Sequence, residues 1–318
     1  MLVCPPPDGT VGSVVISIDA ELGWGFIDFD SPPTRRVESA REGWTWLCDR
    51  LEAYDIPATW AIVGHVFQES CDGDHSDHPA WPEWFTRERG PWADRPDLTR
   101  GADLVERVRA SPVDHDIGGH TYTHIEFGAD ATTREIASYE LARSVEIAES
   151  WGIALRSFVF PRNNLGHRDV LAEHGFETYR ALRPGPSRGL TGRLVDSLGR
   201  ARPPLVRPAV DEYGLVNLPA SLFLHGFDGT PLRATRAVGH DPIVTLAKRG
   251  IAAAADEDAI FHCWLHPNNL VGPAQYRRLD AIFDAIDDHR GQLRVETMAG
   301  VADRVLGNGE QWSPAADD

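Results

Sequence analysis

VVISIDAE, residues 14–21, decides how the rest of this chain is read. Four of its first five residues are β-branched and none is charged, the pattern of a strand buried on both faces, as strands of a parallel sheet are. It ends at two carboxylates, Asp19 and Glu21. Outward from it, apolar runs alternate with helical patterns. Trp44, Leu47, Leu51 and Tyr54 mark one face of a helix, and PATWAIVG (57–64) is a second strand. DLVERVRAS is a short helix ahead of HDIGGH. Thr132-x-x-Glu135 reads as a capping box for a helix that buries Ala137, Leu141, Val145 and Ala148. RSFVFP (156–161), FETYRA (176–181) and AIFHCWLH (259–266) are further strands, and PAQYRRLDAIFDAIDDH and VADRVL are closing helices. Strands alternating with helices call for a parallel sheet wrapped by helices, here one barrel-like α/β domain over residues 1–318. Two stretches interrupt it: a Pro/Trp/Asp/His-rich excursion at 68–100 and an Arg/Pro-rich insertion at 183–208.

With 318 residues and 42% hydrophobic composition, the chain can build one large core. Its 31 basic and 48 acidic residues give a net charge of −17, which repels nucleic acid and anionic membrane surfaces. Lys248 is the only lysine, and the acidic excess suits a salt-adapted, halophilic cytoplasm. Cys4, Cys48, Cys71 and Cys263 are scattered without metal or disulfide spacing and are expected as reduced thiols. The start MLVCPPPDGT lacks a signal-peptide pattern and no apolar run reaches membrane length, so a cytoplasmic protein without stable membrane insertion is expected. Oligomeric state is left open by the sequence.

The residues able to do chemistry share one position. Asp19 follows VVISI, His120 and His124 follow HDIGG, Arg162 follows SFVFP, and His266 ends IFHCWL; each stands at the carboxyl end of a strand, where barrels build their sites. His120-x-x-x-His124 is weak evidence for metal by itself. With Gly118 and Gly119 before it and β-branched Thr121 and Thr123 within it, the pair belongs to a loop able to turn both imidazoles inward. A carboxylate from Asp19 or Glu21 would complete a divalent site. Trp24, Trp60 and Trp264 lie near the same ends, where an indole either stacks on a sugar face or packs the lid, and with Asn163 they are the expected substrate contacts. His262, four residues before His266 and on the same face, is expected deeper in the core. The run Asp72–His78 is read as a solvated acidic loop.

SIDAELGWG, PATWAIVG, DIGGHTYTH, FVFPRN and IFHCWLHPNNL, in that order, resemble the polysaccharide deacetylase (NodB-homology) family over roughly residues 12–300. The resemblance implies a distorted (β/α) barrel of about seven parallel strands. It also implies one divalent metal held by an Asp-His-His triad, and hydrolysis of N-acetyl groups on sugars. His120-Thr121-Tyr122-Thr123-His124 matches the family's H-[ST]-x-x-H motif. In the family's T-F-D-D-G motif the first aspartate is the base and the second a metal ligand. Asp19 falls on the base, whereas Ala20 takes the ligand position and cannot coordinate. Glu21 is the candidate replacement; the alternative is that it faces solvent or pairs with Arg162. Val159 stands where the family carries an arginine that orients the base, and Arg162 is expected to take over that task. His266 matches the histidine that protonates the leaving amine. Zinc is the first expectation for the metal, with cobalt, nickel, manganese and iron also suited to imidazole and carboxylate ligands. A carbohydrate is the implied substrate. The rival readings are hydrolysis of another non-peptide carbon–nitrogen bond, as in cyclic amides and imides, and a non-catalytic glycan-binding protein with a degenerate site.

Overall fold

The computed structural model describes residues 11–182, 205–225 and 241–308. Among these, β1 (Ser13–Ala20) is an interior strand of a ten-stranded sheet and pairs with three others. The others are β2 (Thr59–Ile62), β3 (Asp116–Gly119), β4 (Ser157–Val159), β5 (Thr178–Arg180), β6 (Ala209–Val210), β7 (Val216–Asn217), β8 (Leu222–Phe223), β9 (Ile260–Leu265) and β10 (Arg294–Glu296). Their order is β6-β7-β5-β4-β3-β2-β1-β9-β8, with β10 beside the first half of β1, and every pairing except β6–β7 is parallel. The count exceeds seven because β6, β7 and β8 are two-residue pieces. The stretch 216–224 bridges the curled sheet: Leu218 and Ala220 donate to Tyr179 and Ala181, and Ser221 and Leu224 to His262 and Trp264. The architecture is the distorted (β/α) barrel expected.

Eight helices are described: α1 (Thr34–Ala53), α2 (Thr86–Arg89), α3 (Ala102–Arg109), α4 (Arg134–Ser150), α5 (Arg168–Glu173), α6 (Pro242–Asp256), α7 (Pro273–Asp288) and α8 (Met298–Asn308). None is long and apolar enough to cross a membrane. The expected capping box does not form: Thr133, not Thr132, caps α4 by accepting from the Ile136 amide, with no reciprocal bond from the apolar Ile136, while the Thr132 hydroxyl donates to the Glu126 carbonyl.

Strand parity sorts the side chains into two layers. Val15, Ala61, Val159, Val216, Leu218 and Ile260 share an inner cluster, whereas Val14, Ile16, Ile18, Ala20, Trp60, Ile62, Phe158 and Phe261 belong to the larger cluster that includes Trp44, Leu47 and Leu51 of α1. Odd positions of β1 therefore face the barrel interior, and Asp19 and Glu21 share that parity. Ala20 has the outward parity and is fully buried.

Parity also corrects one expected substrate contact. Trp60 points away from the interior and stacks on Trp44 of α1, ring centroids 5.3 Å apart, with no exposed surface. The 68–100 excursion is tied to the barrel by buried groups, and its Asp72–His78 run is not simply solvated. Asp72, Asp74 and Asp77 face water, while His78 is buried and its Nε2 donates to Glu140 of α4 at 2.7 Å. Most of the 183–208 insertion lies outside the described residues.

Trp60→Ala is expected to remove about 3–5 kcal/mol of stability by opening a cavity beside Trp44. Chemical denaturation checks it; unchanged stability with weakened glycan binding would return Trp60 to the substrate site.

Candidate metal and catalytic site

The end of β1 turns sharply after Ala20. Leu22 adopts a left-handed conformation (φ 46°), and Gly25 leaves the space that the Glu21 carboxyl fills: a Cβ on Gly25 would stand 2.1 Å from Glu21 Oε1. Glu21 is thereby directed at the histidine loop. Its Oε2 lies 3.0 Å from His124 Nε2 and 3.7 Å from His120 Nε2. Asn268 donates to its Oε1 at 2.9 Å. Glu21 faces neither solvent nor Arg162.

The loop carrying the histidines is a compact left-handed turn, with Thr121 at φ 57° and His124 at φ 66°. One buried carboxylate holds it. Glu140 accepts from the backbone amides of Tyr122 (2.7 Å) and Thr123 (2.8 Å), from the Thr123 hydroxyl (2.5 Å) and from His78. His120 donates its Nδ1 proton to the Val159 carbonyl at 2.7 Å, so the lone pair of Nε2 faces the site. That Nε2 is buried with no hydrogen-bond partner. Burial holds the His124 imidazole below its usual pKa, against the pull of Glu21, and so favours the neutral, ligating form. An orphaned buried imidazole nitrogen, a second imidazole and a carboxylate with mutual spacing under 4.8 Å fit a divalent ion.

Asp19, on the same interior face, meets a residue the sequence reading overlooked. Arg180, fully buried at the end of β5, donates to both Asp19 oxygens at 2.6 and 2.7 Å and to the Ser17 hydroxyl at 3.0 Å. Burial alone would raise the Asp19 carboxyl; the Arg180 and His266 charges outweigh it and hold the acid below its usual range. Arg162 does not orient Asp19. It has a left-handed backbone (φ 54°), and its guanidinium turns to the rim, where it pairs with Asp28 and Glu126. Arg180 could have been found by the rule that found Asp19, being the charged residue at the carboxyl end of the apolar strand FETYRA.

His266 Nε2 stands 3.6 Å from Asp19 Oδ2 and 3.9 Å from Glu21 Oε1, with Nδ1 3.2 Å from the Asn269 side-chain oxygen. His262 is the buried core histidine expected: it pairs with Ser17 at 2.9 Å, and burial lowers its pKa to about 3. Asn163 accepts from Arg180 at 3.1 Å. Trp264 is half-buried, stacks on Phe223 at 4.1 Å and lies under the Arg180 guanidinium at 4.4 Å. Trp24 has no exposed surface and donates its indole N–H to Thr99, so it offers no face to a sugar. Buried space between β1 and the excursion, rather than the site mouth, accounts for it.

Residues 26–179 match the family model for polysaccharide deacetylase, a segment that includes the histidine loop and Arg162 but begins after Glu21. Among solved structures, one from Mycobacterium smegmatis named for a polysaccharide deacetylase has a TM-score of 0.63 at 18% identity, covering 100% of this chain and 98% of its own. Puue allantoinase gives 0.63 at 13% identity, covering 97% and 96%. A structure from Pseudomonas aeruginosa PAO1, also named for a polysaccharide deacetylase, gives 0.57 at 11%, covering 95% and 92%. These identities speak for a shared fold. A comparison with curated proteins finds no match.

Glu140→Ala should strip the histidine loop of its shared acceptor, leaving buried donors unsatisfied at a cost of about 3–5 kcal/mol. Calorimetry should show a large fall in Tm together with weakened divalent-ion uptake; a variant as stable as wild type would refute the anchoring role.

Proposed function

We propose that this chain, whose residues 26–179 match the polysaccharide deacetylase family model, is a hydrolase of carbon–nitrogen bonds other than peptide bonds that removes N-acetyl groups from an amino-sugar glycan or glycan precursor. One divalent ion, zinc before cobalt, nickel, manganese or iron, is assigned to Glu21, His120 and His124. The observation carrying this reading is the convergence of the Glu21 carboxylate and two histidine Nε2 atoms beside the Arg180-paired Asp19 and His266.

Such an ion, when bound, polarises the acetamide carbonyl and acidifies a water. The chain's own residues handle the protons. Asp19, kept ionised by Arg180, accepts a proton from the attacking water. His266, oriented through Nδ1 by Asn269, delivers one from Nε2 to the departing amine, without which the tetrahedral adduct would expel water and return to the amide. Arg180 and Asn163 position Asp19, and Trp264 backs Arg180. The acidic composition favours a cytoplasmic setting, where the glycan would be met as a precursor.

Asp19→Asn is expected to lower acetate release from N-acetylated glucosamine oligomers by roughly 10²–10⁴-fold while ion content is unchanged. Wild-type turnover in this variant would remove Asp19 from the mechanism. Arg180→Met supplies a pH test. A lowered Asp19 pKa keeps the base ionised to low pH; without the guanidinium that pKa rises, so the acid limb of kcat/KM should move to higher pH. An unmoved limb would contradict the pairing. The second reading, hydrolysis of a cyclic amide or imide, keeps the same barrel and site and changes the substrate, since a fold does not fix the bond it cleaves. Ring opening of such substrates without acetate release would select it.

A further inference from the structure

A second cluster of metal-ligating side chains lies outside the site just described. It joins the barrel to the 68–100 excursion. His65 comes from the turn after β2, Cys71 and His75 from the excursion, and Glu88 from α2; one donor atom from each lies within 4.8 Å of the others. The sequence hides it because the ligands are spread over three separate segments of chain and Cys71 has no cysteine at metal-ligand spacing.

The donor atoms point at one another and not at separate partners. His75 Nε2 is 2.8 Å from Glu88 Oε2 and 3.8 Å from Cys71 Sγ. His65 Nε2 is 3.3 Å from Glu88 Oε1. Four donors arranged tetrahedrally at the usual zinc distances of ~2.0–2.3 Å would be spaced ~3.3–3.8 Å apart. His65 adds an independent sign. Its side chain has no exposed surface, yet neither ring nitrogen has a hydrogen-bond partner. With nothing at Nδ1 and only the unaligned approach of Glu88 Oε1 at Nε2, this fully buried imidazole is costly unless one of its nitrogens binds something.

A cysteine–histidine–glutamate relay is the rival arrangement, and the geometry argues against it. A relay needs sulfur on one imidazole nitrogen and carboxylate on the other. Here Cys71 and Glu88 both converge on His75 Nε2. The surroundings suit a closed centre: His75 stacks on Phe85 at 4.3 Å, His65 lies against Trp24 at 4.6 Å, and the Gly73 amide donates to Cys71 Sγ at 3.3 Å, as amides do to thiolates.

We propose that His65, Cys71, His75 and Glu88 bind a zinc-like divalent ion, a structural centre distinct from the Glu21–His120–His124 site, which fastens the excursion to the barrel. Four protein ligands leave no open position for substrate or water, so its role is to hold structure. Trp24, in contact with His65, and Tyr122, whose carbonyl accepts from the His65 amide, connect it to the histidine loop. Fixing the excursion thus also steadies the neighbouring site.

Cobalt separates the two centres, since only this one has a sulfur ligand. The full-length chain loaded with Co²⁺ should show a near-ultraviolet thiolate-to-cobalt charge-transfer band. Cys71→Ser should lose that band and one ion per chain, while Glu21→Gln should keep the band whether or not the deacetylase reading holds. Absence of the band from the cobalt-loaded wild type, or equal ion content in wild type and Cys71→Ser, would overturn the proposal. If Cys71→Ser does not fold, the wild-type spectrum, with the band retained in Glu21→Gln, decides.

Discussion

Two carboxylates, Asp19 and Glu21, are buried side by side at the end of β1, the strand that pairs with three others, and the surrounding structure is organised around that charge. An unpaired buried carboxylate costs several kcal/mol. Asp19 is compensated by the bidentate guanidinium of Arg180, which the barrel places opposite it at the end of β5. Glu21 has no arginine or lysine partner among the described contacts. It has Asn268, the two histidines and, further off at 3.9 Å, His266. With neutral imidazoles a negative charge is left over, and a divalent cation is the simplest group to answer it. The same reasoning separates the carboxylates: the one paired to a permanent cation is held ionised, as the proposed base must be, and the one facing lone pairs is placed as the proposed ligand.

Parity explains how a chain that lacks the expected second aspartate can still present this arrangement. Alternation puts positions 19 and 21 on the interior face and 20 under the helices, and the left-handed Leu22 with the cleared space at Gly25 aims Glu21 at the histidines. The histidines depend in turn on Glu140, which gathers two amides, a hydroxyl and His78 onto one buried carboxylate and so fixes a backbone that β-branched Thr121 would otherwise disfavour.

Much of this was legible in the sequence because it follows from local pattern. The β-branched runs gave the strands, and their carboxyl ends gave Asp19, His120, His124 and His266. What the sequence obscured depends on long-range geometry. Arg162 is near its motif in sequence, yet its left-handed backbone sends it to the rim, while Arg180, in another strand, reaches Asp19 across the barrel. Trp60 has the outward parity that sets it against Trp44 of α1, and Trp24 is covered by an excursion that has no period in the sequence. Nothing in the local pattern distinguishes Glu140 from the other acids of α4, and only its burial beneath the histidine loop makes it an anchor. The scattered His65, Cys71, His75 and Glu88 could be assembled only by folding.

The central claim is that Glu21 completes the ligand set in place of the residue at position 20. The most direct measurement is the divalent-ion content and ion affinity of purified Glu21→Gln beside wild type, since glutamine keeps the shape and removes the charge. The account predicts loss of one ion per chain or a large drop in affinity, with the Cys71-dependent spectrum untouched. Retention of that ion at wild-type affinity would contradict it.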